Sequence, residues 1–303
     1  MKNTTAFWNK CESLKIEKLV FSMARFALGV HKNTTKAAIR GELGLYPLGI
    51  NICKFMLKYY IRLIQMPSNS LLGAAFKVDT LCNRAWINSI LKLNQLNIIC
   101  IPQQMETIPR TVKDLRAAFQ SHWLSLLNKE SGNKLRTYNQ FKFKLKFENY
   151  LIDIKNEKHR KAFTRLRTAS HFLRIETGRF SNKHVNAISP SKRICQLCTK
   201  HEIEDEKHFA LSCSLYDDIR SNLLRDLETY CPNLDTKVGH CPKLKLSYLF
   251  SSEGEIARTF SKFCYLAFET RHLKTSCDIA FNANRCTITR AGRLVKPPIK
   301  LDL

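Results

Sequence analysis

The chain has 303 residues, enough to bury one large core or two ordinary ones, and an apolar share of 44% with 18 Phe excludes a disordered polymer. Lys and Arg number 50 against 25 acidic residues, a net charge of +25. Self-repulsion of that size destabilises a compact monomer unless a polyanion or counterions screen it; nucleic acid is the first such partner and an anionic membrane surface the second, with an ordinary basic surface as the alternative.

At the N-terminus, MKNTTAFWNKCESLK lacks the apolar core of a signal peptide, and IEKLVFSMARFALGV is charged and too short to span a bilayer. The expectation is a soluble intracellular protein, cytoplasmic or nuclear, whose 12 cysteines are reduced and partly metal-bound. GELGLYPLG, residues 41–49, carries three glycines and a proline without a phosphate-loop pattern, and reads as a structural turn. Cys53, Met56, Leu57, Tyr60, Ile61 and Ile64 fall at helical spacing, with Lys54, Lys58 and Arg62 off that stripe, and Pro67 ends it. After Pro109 the pattern recurs in Val112, Leu115, Ala118, Phe119, Trp123 and Leu126. QFKFKLKF, residues 140–147, breaks the helical pattern: Phe141, Phe143, Leu145 and Phe147 alternate with lysines, which taken alone reads as a short edge strand with its lysine row toward solvent, while the surroundings read as helical.

Helix resumes at EKHRKAFTRLRTASHFL, with Phe163, Leu166, Phe172 and Leu173 as apolar contacts and Lys158, Arg160, Lys161, Arg165 and Arg167 as a cationic face. Residues 151–193 hold 11 basic and 3 acidic side chains, the steepest positive density in the chain. Residues 194–240 reverse the sign, with 5 basic and 9 acidic. In this acidic island lies C-x2-C-x9-H-x4-C: Cys195, Cys198, His208 and Cys213. Two thiolates from one tight turn, with a histidine and a third cysteine, make a closed four-ligand set for one structural Zn²⁺. Five residues is too far around an ideal helix for His208 and Cys213 to share a face, so the last turn is expected to loosen toward 3₁₀ geometry. The acids Glu202, Glu204, Asp205 and Glu206 suit a helix N-terminus ahead of His208. His201 follows Cys198 too closely to be preferred as a ligand. Zinc binding on the order of 10 kcal/mol is enough to fold a segment with little core of its own. Beyond it, Tyr216, Ile219, Leu223 and Leu227 form a stripe able to dock the module. The closing AGRLVKPPIKLDL, with paired prolines, predicts a flexible basic tail.

YDD, Tyr216 to Asp218, is one residue short of a polymerase Y-x-D-D and opens a helix rather than joining strands. No Walker loop, nucleophile elbow, HExxH or dinucleotide fingerprint occurs, and the acids in the basic regions are isolated, which argues against an enzyme.

Three stretches in this order, RGELGLYPLGINICKFMLKYYIRL, LRTASHFLRIETGRF and ICQLCTKHEIEDEKHFALSCSLYDDIR, resemble the C-terminal region of reverse transcriptases from non-LTR (LINE-type, jockey-like) retrotransposons. An ending like Lys262, Phe263 and Arg271 extends the likeness over about residues 20–275, while the last 25 or so match nothing in the family. The resemblance implies a region that follows the polymerase palm, without the catalytic aspartates or the apurinic-type endonuclease. The expected fold is mainly α: a helical bundle-like region at 1–150, a basic helical segment with the CCHC zinc module at 151–240, and a C-terminal helix with the basic tail at 241–303. The zinc module is then a clamp orienting the basic segment for RNA or DNA, with RNA preferred and no membrane or small-molecule substrate. Arg160, Lys161, Arg165, Arg167, Arg174, Arg179, Lys192 and Arg193 are the expected phosphate contacts, and His171 and Phe180 the expected base-stacking rings. A decayed transposon-derived reading frame with only non-specific RNA binding is the alternative.

Overall fold

The computed structural model describes residues 8, 14–67, 69–82, 84–95, 104–128, 134–180 and 186–283. Among them the chain is mainly helical and contains no strand. The expected basic tail lies outside the described residues. Two compact units emerge: Met1–Glu148 with Thr168–Ser170, and Asn149–Arg167 with His171–Leu303. Apart from Thr168–Ser170, the residues of 151–240 fall in the same unit as those of 241–303.

In the first unit are α1 (Lys15–Leu28), α2 (Lys36–Leu43), α3 (Leu48–Ile64), α4 (Leu71–Leu81), α5 (Ala85–Gln95) and α6 (Ile108–Leu127); α3 packs on α4, α5 and α6, and α2 on α1 and α6. Cys53, Leu57 and Ile61 of α3 and Leu115, Phe119 and Trp123 of α6 are buried, following the apolar stripes, although Ile64 at the end of its stripe is half exposed. The GELGLYPL turn is shaped by sterics. Gly41 lies where a Cβ would come within 2.2 Å of the Tyr138 hydroxyl and 2.9 Å of the Trp123 ring, and Gly44 caps α2 with φ +63°, a conformation that disfavours other residues. Beneath it, Arg40 reaches the Glu17 carboxylate at 3.2 Å and the Leu45 carbonyl at 3.1 Å, while Glu17 also accepts from the Leu48 N–H. Glu17 and Arg40 are both almost fully buried, so each needs the other.

The predicted edge strand is absent. Tyr138–Gln140 forms a 3₁₀ turn, the following residues are irregular, and Phe147 makes only one antiparallel bridge, to Leu43. Phe141 and Leu145 are buried while Phe143 is 61% exposed, so the aromatic alternation does not map onto two faces. Lys142 points inward to the Glu148 carboxylate and the Lys146 carbonyl. With those partners the buried ammonium of Lys142 is satisfied, so its side chain turns inward instead of joining a solvent-facing lysine row.

In the second unit, α7 (Tyr150–Asp153), α8 (Glu157–Arg167), α9 (Arg174–Thr177), α10 (Asp217–Tyr230), α11 (Leu234–Val238) and α12 (Pro242–Ser251) precede the 30-residue α13 (Gly254–Ala283). The helix α13 is the spine, and α7, α8, α10 and α12 all pack on it. Ala257, Phe260, Ser261, Phe263, Cys264 and Ala267 are buried along it, small residues alternating with aromatic ones so that neighbouring helices approach closely. Phe163 of α8 sits edge-on to Tyr150 at 4.8 Å and to Phe260 at 5.8 Å, which fixes α8 against the spine. No helix among the described residues is long and apolar enough to cross a membrane.

Candidate metal centre

Cys195, Cys198, His208 and Cys213 each offer one ligand atom, and the four atoms lie within 4.8 Å of one another. The Cys195 and Cys213 sulfurs are 4.0 Å apart, and the Cys198 sulfur is 3.4 Å from His208 Nε2. The four are close enough to hold one metal ion. His201 is exposed and takes no part.

A miniature hairpin supplies the first pair. Ile194 bridges Ile203, with Cys195 N–H donating to the Glu202 carbonyl at 2.8 Å and Glu204 N–H to the Arg193 carbonyl at 2.9 Å. His201, at φ +53°, turns the chain between the two arms. The Leu197 N–H points back at the Cys195 sulfur at 3.4 Å.

The second pair corrects an expectation. His208–Ser212 is a π-helical turn, wider than α rather than tightened toward 3₁₀, and it closes with Cys213 N–H donating to the His208 carbonyl at 2.8 Å. In an α-helix five residues advance about 500°, leaving the two side chains about 140° apart. Widening the turn to an i to i+5 hydrogen bond reduces the advance per residue and brings them onto one side.

The acids also do something other than face a helix dipole. Glu202 pairs with His208 Nδ1 at 2.8 Å and accepts from the Ser212 hydroxyl at 2.9 Å, which leaves Nε2 as the nitrogen facing the sulfurs. Asp205 alone caps the turn, accepting from the His208 N–H at 2.8 Å. Glu204 takes Arg271 of α13 in a two-pronged ion pair at 2.8 and 3.1 Å and also the Arg174 N–H at 2.8 Å. Glu206 is buried against His171 Nε2 at 2.9 Å, and the other nitrogen of that ring accepts from the Leu173 N–H. Glu204 and Glu206 of the acidic island are therefore buried acceptors. Their burial was invisible in the sequence because two of their partners stand 35 and 67 residues away.

Protonation inside the cluster is coupled. Hydrogen bonding from Cys213 holds the Cys195 thiol down to about 3, and the same bond, with burial, pushes Cys213 above the ordinary thiol range. Burial opposes a charged His208, yet its hydrogen bonds to Cys195 and Glu202 lift it to about 9. A cation arriving here takes the place of those shared protons.

The module docks through Phe209, which stacks on Phe268 of α13 at 4.7 Å and meets Tyr216 edge-on at 4.9 Å. Leu223 and Leu227 of α10 are buried as the stripe predicts. Arg220 donates to the Ala210 and Cys213 carbonyls at 3.1 and 2.7 Å, closing the end of the turn. Asp217 pairs with Arg220 at the start of α10, so YDD is a helix opening.

Several expected nucleic-acid contacts are corrected. Arg167 is buried, donates to the Phe250 carbonyl and lies 4.8 Å over the Tyr150 ring. His171 is enclosed with Glu206, and Arg193 is buried with its guanidinium on the Ile188 and Ile175 carbonyls at 2.9 and 2.7 Å. The Arg193 stem covers Gly178, where a Cβ would stand 3.0 Å from it, so the glycine of the RIETGR stretch makes room for an arginine. These three side chains are buried on partners within the fold. Arg179 pairs with Glu176, Arg160 donates to the Ile154 carbonyl, and Arg174 is half-buried. Lys161 forms an exposed pair with Glu157, Arg165 is half-buried, and Lys192 and Phe180 are exposed. No protein-family model, curated protein or solved structure matches the chain.

Proposed function

We propose that the chain is a zinc-stabilised nucleic-acid-binding module, RNA-preferring and without a polymerase centre of its own, from the C-terminal region of a non-LTR retrotransposon reverse transcriptase. The observation that carries the reading is the three-sulfur, one-imidazole cluster at the hub of the second unit. A tetrahedron with metal–sulfur bonds of about 2.3 Å has edges of about 3.8 Å; two of the separations, 4.0 and 3.4 Å, lie near that, and all four atoms are within 4.8 Å of one another. Soft thiolates with one imidazole in tetrahedral array favour Zn²⁺ over harder ions, and four protein ligands leave no position for substrate. Zinc acts here as a cross-link. It joins the hairpin to the π-turn, and Phe209 and Glu204 carry that constraint to α13.

Nucleic acid follows from charge. Glu204 and Glu206 are buried against Arg271 and His171, and the whole chain still carries a net charge of +25, which a polyanion would screen. The family resemblance, from RGELGLYPL to the CCHC stretch, supplies the origin and the RNA preference. Purified protein should contain one zinc per chain, lost in Cys195→Ser, and its RNA affinity should fall by orders of magnitude between about 50 and 200 mM salt. A folded protein without zinc, or one that ignores RNA at low salt, overturns the reading.

A further inference from the structure

Where α8 packs along α13 the second unit keeps an open groove of about 700 Å³. One wall is a stripe on α8: Lys158, Lys161 and Arg165, spaced three and four residues apart and so on one face over about 10 Å. The other wall is α13, with Tyr265, Glu269 and His272 at similar spacing. Phe172, 55% exposed, stands at the mouth. Part of the lining belongs to the metal module's anchorage, because Phe268 stacks on Phe209 and Arg271 is held by Glu204.

Three features select an occupant. Three cations face one carboxylate, so the occupant is anionic along its length. The aromatic rings at the mouth and on the far wall suit flat groups beside those anions. Glu269 is the exception in a cationic groove: it would repel a phosphate but accepts a hydrogen bond from a hydroxyl. A sugar 2′-OH is a donor placed between phosphate and base, and it distinguishes RNA from DNA.

We propose that this groove binds an unpaired strand of RNA, with phosphates on Lys158, Lys161 and Arg165, bases stacked on Phe172 and Tyr265, and Glu269 accepting from a 2′-hydroxyl. The proposal rests on the nucleic-acid reading above and locates its surface. The exposed Lys161–Glu157 pair yields to a phosphate at little loss, since such pairs contribute little in water. Burial already lowers the pKa of the half-buried Arg165, and an anion in the groove relieves that penalty.

The test uses the zinc-loaded full chain and a labelled oligouridylate of about 12 nucleotides, with the matching deoxy-oligomer and an RNA duplex as comparisons. Lys158→Ala with Arg165→Ala should weaken oligouridylate binding at least tenfold and reduce the salt slope by about 1.4, two contacts at about 0.7 each. Lys158→Glu with Lys161→Glu, both solvent-facing, does the same without touching the half-buried arginine. Phe172→Ala should weaken binding roughly fivefold or more with the slope unchanged. Glu269→Ala should bring RNA and DNA affinities together. If the wild type binds and both charge variants match it in affinity and slope, the groove is wrong while the nucleic-acid function stands. Tighter binding of the duplex overturns the single-strand assignment, and no binding of any oligomer overturns both readings.

Discussion

Glu202 is not one of the four candidate ligands, yet its carboxylate holds one nitrogen of His208 and leaves the other facing the cysteines. With Nδ1 tied to Glu202, Nε2 is the nitrogen turned toward the three sulfurs. Removing such a partner from a metal-bound histidine commonly lowers affinity 10- to 100-fold. Glu202→Ala should therefore retain one zinc at saturation but release it to a competing chelator at roughly 10- to 100-fold lower chelator concentration. An unchanged competition curve would mean that the π-turn alone orients the ring. The four ligands themselves were legible in the sequence, because C-x2-C and H-x4-C are local spacings. Their supporting residues were not: Glu202 looked like one acid among four, and only the hairpin places it beside His208 rather than over a helix N-terminus. The arginines misled for a related reason. Arg167 and Arg193 look cationic and available in one dimension, but both lie buried with their guanidinium groups on backbone carbonyls.

At the scale of elements, the apolar stripes of α3, α6 and α10 were legible because a period of 3.6 survives any tertiary context. The 140–147 segment was not, since alternation over eight residues also arises when a buried lysine finds a carboxylate and a carbonyl nearby. The attachment of the metal module to α13 was equally hidden, resting on Glu204 and Arg271, which are 67 residues apart. Glu204 is nearly inaccessible, with 5% of its side chain exposed against 17% for Arg271, so losing the arginine strands a buried carboxylate. Arg271→Ala should destabilise the second unit by about 3–5 kcal/mol, read by denaturant unfolding. Adding Glu204→Gln, which keeps an acceptor for the Arg174 N–H, should recover most of that loss. A double variant as unstable as the single one would show that Arg271 acts through packing, not through its charge.

For the whole molecule, the division into two units gives zinc removal a distinctive signature. All three tryptophans belong to the first unit: Trp8 and Trp123, both buried, and Trp86 on α5. Indole fluorescence thus reports on the first core, while far-UV circular dichroism reports on both. The metal ligands, Phe209 and the Glu204–Arg271 pair all belong to the second unit. The first core depends instead on α3 and α6 and on the Glu17–Arg40 pair, none of which involves the metal. Chelation should accordingly lower the helix signal through loss of the hairpin, the π-turn and the ordered end of α10, with tryptophan emission maximum and intensity unchanged. Returning zinc should restore the dichroism. A red shift in tryptophan emission that follows the chelator would mean that the metal stabilises both cores and that they unfold as one cooperative block.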